Sequence, residues 1–142
     1  MARLPPAPPA SSPTTRLAMQ ANRSRDTGPE VAVRRALHAA GLRYRTSFLI
    51  ATETLKVRAD VAFTRRRLAL FIDGCYWHGC PVHWRSPAKN ADFWTAKIQH
   101  NQARDARVTS ALEEAGWHVV RAWEHEDPSE VAAAVRLALS RL

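Results

Sequence analysis

The stretch Leu68-Ala-Leu-Phe-Ile-Asp-Gly-Cys-Tyr-Trp-His-Gly-Cys-Pro-Val-His83 constrains the fold most, because an apolar run ends in a carboxylate and then in metal-ligand side chains. Leu68, Ala69, Leu70, Phe71 and Ile72 read as a short strand covered on both faces, and Gly74 breaks it directly after Asp73. Cys75, Cys80 and His83 then lie close enough to hold one soft cation, with Tyr76 and Trp77 displayed between them and His78 left for another task. A structural zinc wants a fourth nitrogen or sulfur. His125 is the best-placed residue to supply it, because the strand ending at Trp123 can return beside the loop; His78 and His118 are weaker candidates. A closed set of this kind leaves zinc no open position, so it would staple an irregular loop and catalysis would fall to other groups. The competing reading is two buried free cysteines beside an exposed histidine. A Cys75–Cys80 disulfide would leave the histidines unexplained.

Charge points to a polyanionic partner. Lysine and arginine outnumber the acids 21 to 13, a formal +8 with a pI near 10.7. Arg34-Arg35, Arg43 and Arg45, Arg65-Arg66-Arg67, and Lys97, Arg104 and Arg107 recur on several elements, with Arg66, Lys97, Arg104 and Arg107 the expected phosphate contacts. Solubility alone is the bland explanation of the same excess. No run approaches the ~20 apolar residues of a membrane span and the start lacks a secretory h-region, so a cytoplasmic protein is expected, with no membrane partner.

Residues 1–18 are rich in Pro, Ala, Ser and Thr, which predicts a disordered arm before a single domain over 19–142; Met19, at the compositional change, is an alternative start. Thr27-Gly-Pro-Glu30 has capping-box spacing and Val33, Leu37 and Ala40 share a face, predicting a first helix that stops at Gly41. Arg43–Leu49 alternates weakly and Val57–Phe63 more clearly, predicting two strands, the second paired antiparallel with the Leu68–Asp73 strand across the Arg65-Arg66 turn. A long helix is expected from Asn90 to Ala115, a strand from Trp117 to Trp123 and a terminal helix from Pro128. The order α-β-β-β-α-β-α predicts an α/β layered domain with a mixed sheet.

Glu30, Asp60 and Asp73 are placed to converge on a hard divalent cation, which points to phosphodiester hydrolysis. Each has a structural reading as well: Glu30 in the capping box, Asp60 paired with Arg58, Asp73 accepting backbone hydrogen bonds at the turn. Taken together, Arg25-Asp-Thr-Gly-Pro-Glu30, Arg58-Ala-Asp60, Phe71-Ile-Asp-Gly-Cys-Tyr-Trp-His-Gly-Cys-Pro81, Asn90-Ala-Asp-Phe-Trp-Thr-Ala-Lys-Ile98 and Gly116-Trp followed by Val120-Arg-Ala-Trp-Glu-His125 resemble the very-short-patch repair DNA mismatch endonucleases. The resemblance spans about Met19 to His125. It implies a restriction-endonuclease-like three-layer fold of the PD-(D/E)xK type with a central mixed sheet and a structural zinc. The implied activity is magnesium-dependent, strand-specific nicking of double-stranded DNA at a thymine–guanine mismatch.

By the same resemblance, Asp60 is the principal magnesium carboxylate, the Ile72 backbone carbonyl a further magnesium ligand, Glu30 an acid that positions metal-bound water, and His78 the general base or water-activating residue. Cys75, Cys80, His83 and His125 match the zinc positions with the ligand types permuted, His125 standing where the better-known pattern has cysteine. Asp73 departs from the pattern, since some members carry histidine there, and is expected in the metal site or its water shell. Ile72 also replaces a polar residue. Tyr76, Trp77 and Trp94 match positions that wedge into the base stack, where stacking is worth ~1–3 kcal/mol per base; core packing beside Ile98 is the alternative for Trp94. Mismatch-repair proteins as partners, a monomeric state and a nucleoid-associated location complete these expectations. The other functions considered are a restriction-like or branched-DNA nuclease of the same fold, and a non-catalytic zinc-stabilised DNA-binding module.

Overall fold

The structure, a computed structural model, describes residues 28–85 and 88–142. The expected arm over residues 1–18, Met19 and Thr27 of the capping box lie outside the described residues. The elements are α1 (Gly28–Ala39), β1 (Arg45–Ala51), β2 (Lys56–Phe63), β3 (Leu68–Asp73), α2 (Ala91–Glu114), β4 (His118–Trp123) and α3 (Pro128–Ser140), in the order expected. Local chemistry sets their ends. Gly41, at φ 79°, turns the chain out of α1 while Leu42 N–H donates to the Leu37 carbonyl at 3.1 Å, satisfying a carbonyl the helix leaves open. Asp127 caps α3 by accepting from Ser129 N–H at 2.7 Å, with Pro128 in the first turn, where a missing N–H costs nothing.

One mixed sheet runs β1-β2-β3-β4, antiparallel except for β4, which lies parallel to β3 after the α2 crossover. Alternation in β3 feeds two cores. Leu68 and Leu70 pack with Val33 and Leu37 of α1 and Val131 and Val135 of α3, whereas Ala69 and Phe71 pack with Val108 and Leu112 of α2. The result is three layers, α1 and α3 on one face of the sheet and α2 on the other.

Two details depart from the sequence expectation. β1 starts at Arg45, two residues later than expected. In β2 the alternation reverses at Asp60: Val57 and Ala59 face the α2 core, but Val61 and Phe63 face the opposite one. Across the ladder Ser47, at φ 44°, stands opposite Asp60, and this is the one position between Thr46↔Val61 and Phe48↔Ala59 at which the two strands do not pair, the register being the same on either side. Pairing between β2 and β3 likewise stops at Val61↔Leu70, so the strands part at Asp60. The opening between them holds the site.

Candidate active site and metal centre

Cys75, Cys80, His83 and His125 come together as one cluster with all ligand atoms within 4.8 Å of one another. His125 Nδ1 lies 3.2 Å from Cys75 Sγ, 3.7 Å from Cys80 Sγ and 3.1 Å from His83 Nδ1, and His83 Nδ1 lies 3.8 Å from each sulfur. A zinc tetrahedron with sulfur at about 2.3 Å and nitrogen at about 2.0 Å has edges of roughly 3.3–3.8 Å, so the donor set fits that ion in type and size. Burial, reinforced by the Cys80 thiol, pushes the Cys75 thiol up to about 11, a cost that a bound cation would remove by taking the place of the protons. The backbone is fitted to this loop. Gly79 sits at φ 67°, and a Cβ there would meet Ile98 and Gln102 of α2 at 2.5 Å. Asn101 donates to the Trp77 carbonyl at 2.7 Å and Gln102 to the His78 carbonyl at 3.3 Å, so α2 fixes the loop on which His78 rides.

Beside it a cleft of about 510 Å³ is bounded by Glu30, Asp60, Asp73, His78, Asp105, Arg121 and Glu124, among others. Glu30 comes from the first turn of α1, Asp60 from the break in β2, Asp73 from the end of β3 and Asp105 from α2, so every layer contributes. Asp60 Oδ2 accepts the Ile72 N–H at 2.6 Å, taking the ladder position that β2 abandons. In a strand the N–H and C=O of one residue point to the same edge, so the Ile72 carbonyl faces β2 as well. Burial, with the charges of Glu30 and Asp73, pushes the Asp60 carboxyl up to about 6 against the opposing pull of the Ile72 N–H and Arg121. A carboxylate held up first by burial and then by neighbouring like charge is one that a cation would relieve.

His78 Nδ1 lies 2.5 Å from Asp105 Oδ2 and 3.8 Å from Asp73 Oδ1. Asp73 is gripped by Arg121, whose Nη1 stands 3.0 and 3.3 Å from its two oxygens. Burial raises the Asp73 carboxyl while Arg121 and His78 pull it down. The three acids expected together line one cleft, in which Asp73 groups with His78 and Asp105 within 4.8 Å while Asp60 feels the charges of Glu30 and, less strongly, Asp73. Arg58, a possible partner of Asp60, instead donates to the Ser47 carbonyl at 2.9 Å.

Tyr76, Trp77 and Trp94 form a half-buried aromatic cluster, with ring centroids 5.2–5.9 Å apart, and Phe93 touches Trp94. Arg104 lines the cleft and Arg107 lies one turn along α2, both exposed, with half-buried Lys97 nearer the helix start. Arg66 lies elsewhere. It sits in the β2–β3 turn, at the far end of both strands from the acids, and donates to the Leu142 carbonyl at 2.8 Å. Asp105 and Arg121 are the residues sequence reasoning missed. The signals were a carboxylate three residues before Val108 on the buried stripe of α2, and an arginine between Val120 and Ala122 within a sheet strand.

The family model described as DNA mismatch endonuclease Vsr matches residues 11–84. A type II nicking enzyme, V.NaeI of Lentzea aerocolonigenes, is 48% identical over 118 residues, covering 82% of this chain and 71% of that protein. V.XorIIP of Xanthomonas oryzae pv. oryzae, also named a type II nicking enzyme, is 42% identical over 78% of this chain and 79% of its own length. The DNA mismatch endonuclease Vsr of Escherichia coli is 35% identical over 75% of this chain and 66% of its length. With a family model over half the chain and relatives at this identity over most of it, the acidic cleft belongs to a nuclease, and the chain is a member of the Vsr family of DNA endonucleases.

Proposed function

We propose that the protein nicks one strand of duplex DNA at a thymine–guanine mismatch, with magnesium as its catalytic cofactor, on a restriction-endonuclease-like scaffold of the PD-(D/E)xK type stapled by zinc. The observation that carries this reading is Asp60: a carboxyl raised to about 6 in a cleft that also holds Glu30 and a His78–Asp105 pair. Magnesium at Asp60 and the Ile72 carbonyl would supply positive charge against the phosphate as the water oxygen bonds to phosphorus and a bridging oxygen of the strand leaves with its electron pair. Glu30 orients the attacking water. His78 takes its proton at Nε2, because the bond from Nδ1 to Asp105 fixes the tautomer that leaves Nε2 as the acceptor.

Recognition falls to the aromatic cluster. A wobble pair unstacks more easily than a Watson–Crick pair, so insertion of Tyr76, Trp77 or Trp94 costs less there. Arg104, Arg107 and Lys97 supply attraction to phosphate that is independent of sequence. The names of the relatives, mismatch endonuclease and nicking enzyme, favour single-strand scission over cleavage of branched DNA. Residues 19–142 act as one domain, as a monomer suited to an asymmetric lesion, in the cytoplasm at the nucleoid and alongside mismatch-repair proteins. Among the described residues no helix is long and apolar enough to cross a membrane. The test is cleavage of end-labelled duplexes bearing each mismatch, a branch or no lesion, in magnesium and then in chelator. Nicking confined to thymine–guanine duplexes in magnesium supports the reading; cleavage only of branched DNA, or in chelator, overturns it.

A further inference from the structure

We propose that Arg121 supplies the second positive charge of the catalytic cleft, filling the place where Asp73, His78 and Asp105 would otherwise hold a second divalent cation. The inference deepens the magnesium reading above and rests on it. Ligand atoms of Asp73, His78 and Asp105 lie within 4.8 Å of one another, a mixed carboxylate and imidazole set that taken alone suits a divalent cation such as manganese. The guanidinium already stands among them. Arg121 Nη1 is 3.0 Å from Asp73 Oδ1 and 3.9 Å from Asp105 Oδ1, Nη2 donates to the Asp105 carbonyl at 3.3 Å, and Nε donates to Thr109 Oγ1 at 3.0 Å. Its Cζ also lies 4.6 Å from the Phe71 ring centroid.

This arrangement is built into the sheet. Parallel pairing sets Phe71 beside Arg121 and Asp73 beside Trp123, so Arg121 projects from the face that carries both Phe71 and Asp73. Each guanidinium nitrogen has a protein acceptor, and arginine keeps its charge at every working pH, so the positive group is permanent and fixed in direction. A divalent ion entering the same group of acids would meet that charge at short range in a partly enclosed cleft. At Asp60 the case differs. Its oxygen is held by the Ile72 N–H, Glu30 and Asp73 add negative charge, and Arg121 pulls on it least of these, so a single ion has a place there. One divalent cation and one arginine would then divide the acids of the cleft between them.

The measurement is a count of bound manganese, a hard-cation probe that competes poorly for thiolate sites, by electron paramagnetic resonance on the full-length zinc-loaded protein at neutral pH. The wild type is expected to bind one manganese per chain, Arg121→Met two, and Arg121→Lys one. Asp73→Asn added to Arg121→Met should return the count to one. Nicking by Arg121→Met should fall about 100-fold, as for loss of one fixed charge-stabilising donor, and should acquire a sigmoidal dependence on metal concentration that Arg121→Lys does not show. Two ions in the wild type, or one in a folded Arg121→Met, overturns the proposal. Should Arg121→Met not fold, two ions in Arg121→Lys overturn it equally. No manganese in the wild type, or no loss of manganese in Asp60→Asn, sinks the magnesium reading beneath it.

Discussion

Asp60→Asn should abolish nicking and yet make the protein more stable. The carboxyl titrates near 6 in the folded chain against an ordinary 3.8, chiefly because burial disfavours its charge. A raised folded pKa means that ionisation costs the fold nothing below about pH 4, progressively more up to about pH 6, and a constant amount above. At about 1.36 kcal/mol per pH unit, a displacement of about two units is at most ~3 kcal/mol, and partial exposure of the side chain reduces this to ~1–3 kcal/mol. Asparagine removes the charge while its Oδ1 can still accept the Ile72 N–H. Urea unfolding in zinc-containing, magnesium-free buffer should therefore show a midpoint about 1 M higher for the variant at pH 8, given a slope of about 1–3 kcal/mol per molar. The gain should shrink as pH falls through 6 and vanish near 4, and magnesium should stabilise only the wild type. A variant less stable at pH 8, or a gain independent of pH, would refute the reasoning.

Three further outcomes follow from the geometry. Elemental analysis should find about one zinc per chain, and Cys80→Ser should lose it together with about 2 kcal/mol or more of stability; undiminished zinc in that variant would contradict the four-ligand centre. Asp105→Asn should lower kcat about 10- to 1000-fold with little change in KM, because it disturbs the His78 tautomer rather than binding, which steady-state kinetics reads directly. Trp77→Ala should weaken mismatch cleavage more than binding to paired duplex, whereas Arg107→Ala should weaken both alike and lower the salt slope by about one, both readable by fluorescence anisotropy over a salt series.

The elements and their order were legible because hydrophobic period and turn chemistry agree locally: an unbroken apolar β3, a proline opening α3 and a glycine closing α1. Cys75, Cys80 and His83 were legible for the same reason, since they lie within a few residues of one another, whereas His125, 42 positions beyond His83, was read from the return of β4 beside the loop. What escaped depends on contacts across the chain. The break at Asp60 lies opposite Ser47 of the neighbouring strand, and the Asp73–Arg121 and His78–Asp105 pairs join residues 48 and 27 positions apart. An arginine inside a strand and an acid on a buried helix stripe were visible as local inconsistencies; only the parallel register of β3 with β4 assigns the arginine to Asp73. That Arg66 lies at the opposite end of β2 and β3 from the acids was not legible either, because counting charge along a sequence does not reveal which end of a strand the charge occupies.

The central claim is strand-selective nicking at a mismatch, and the direct measurement follows each strand of two duplexes that share randomised flanks and differ only in thymine–guanine against thymine–adenine at one position. Each strand is labelled separately and incubated with the zinc-loaded protein and magnesium. The account predicts a break in the thymine strand of the mismatched duplex, no break in its guanine strand and none in the paired duplex. Equal cleavage of both duplexes, or of both strands, would contradict it.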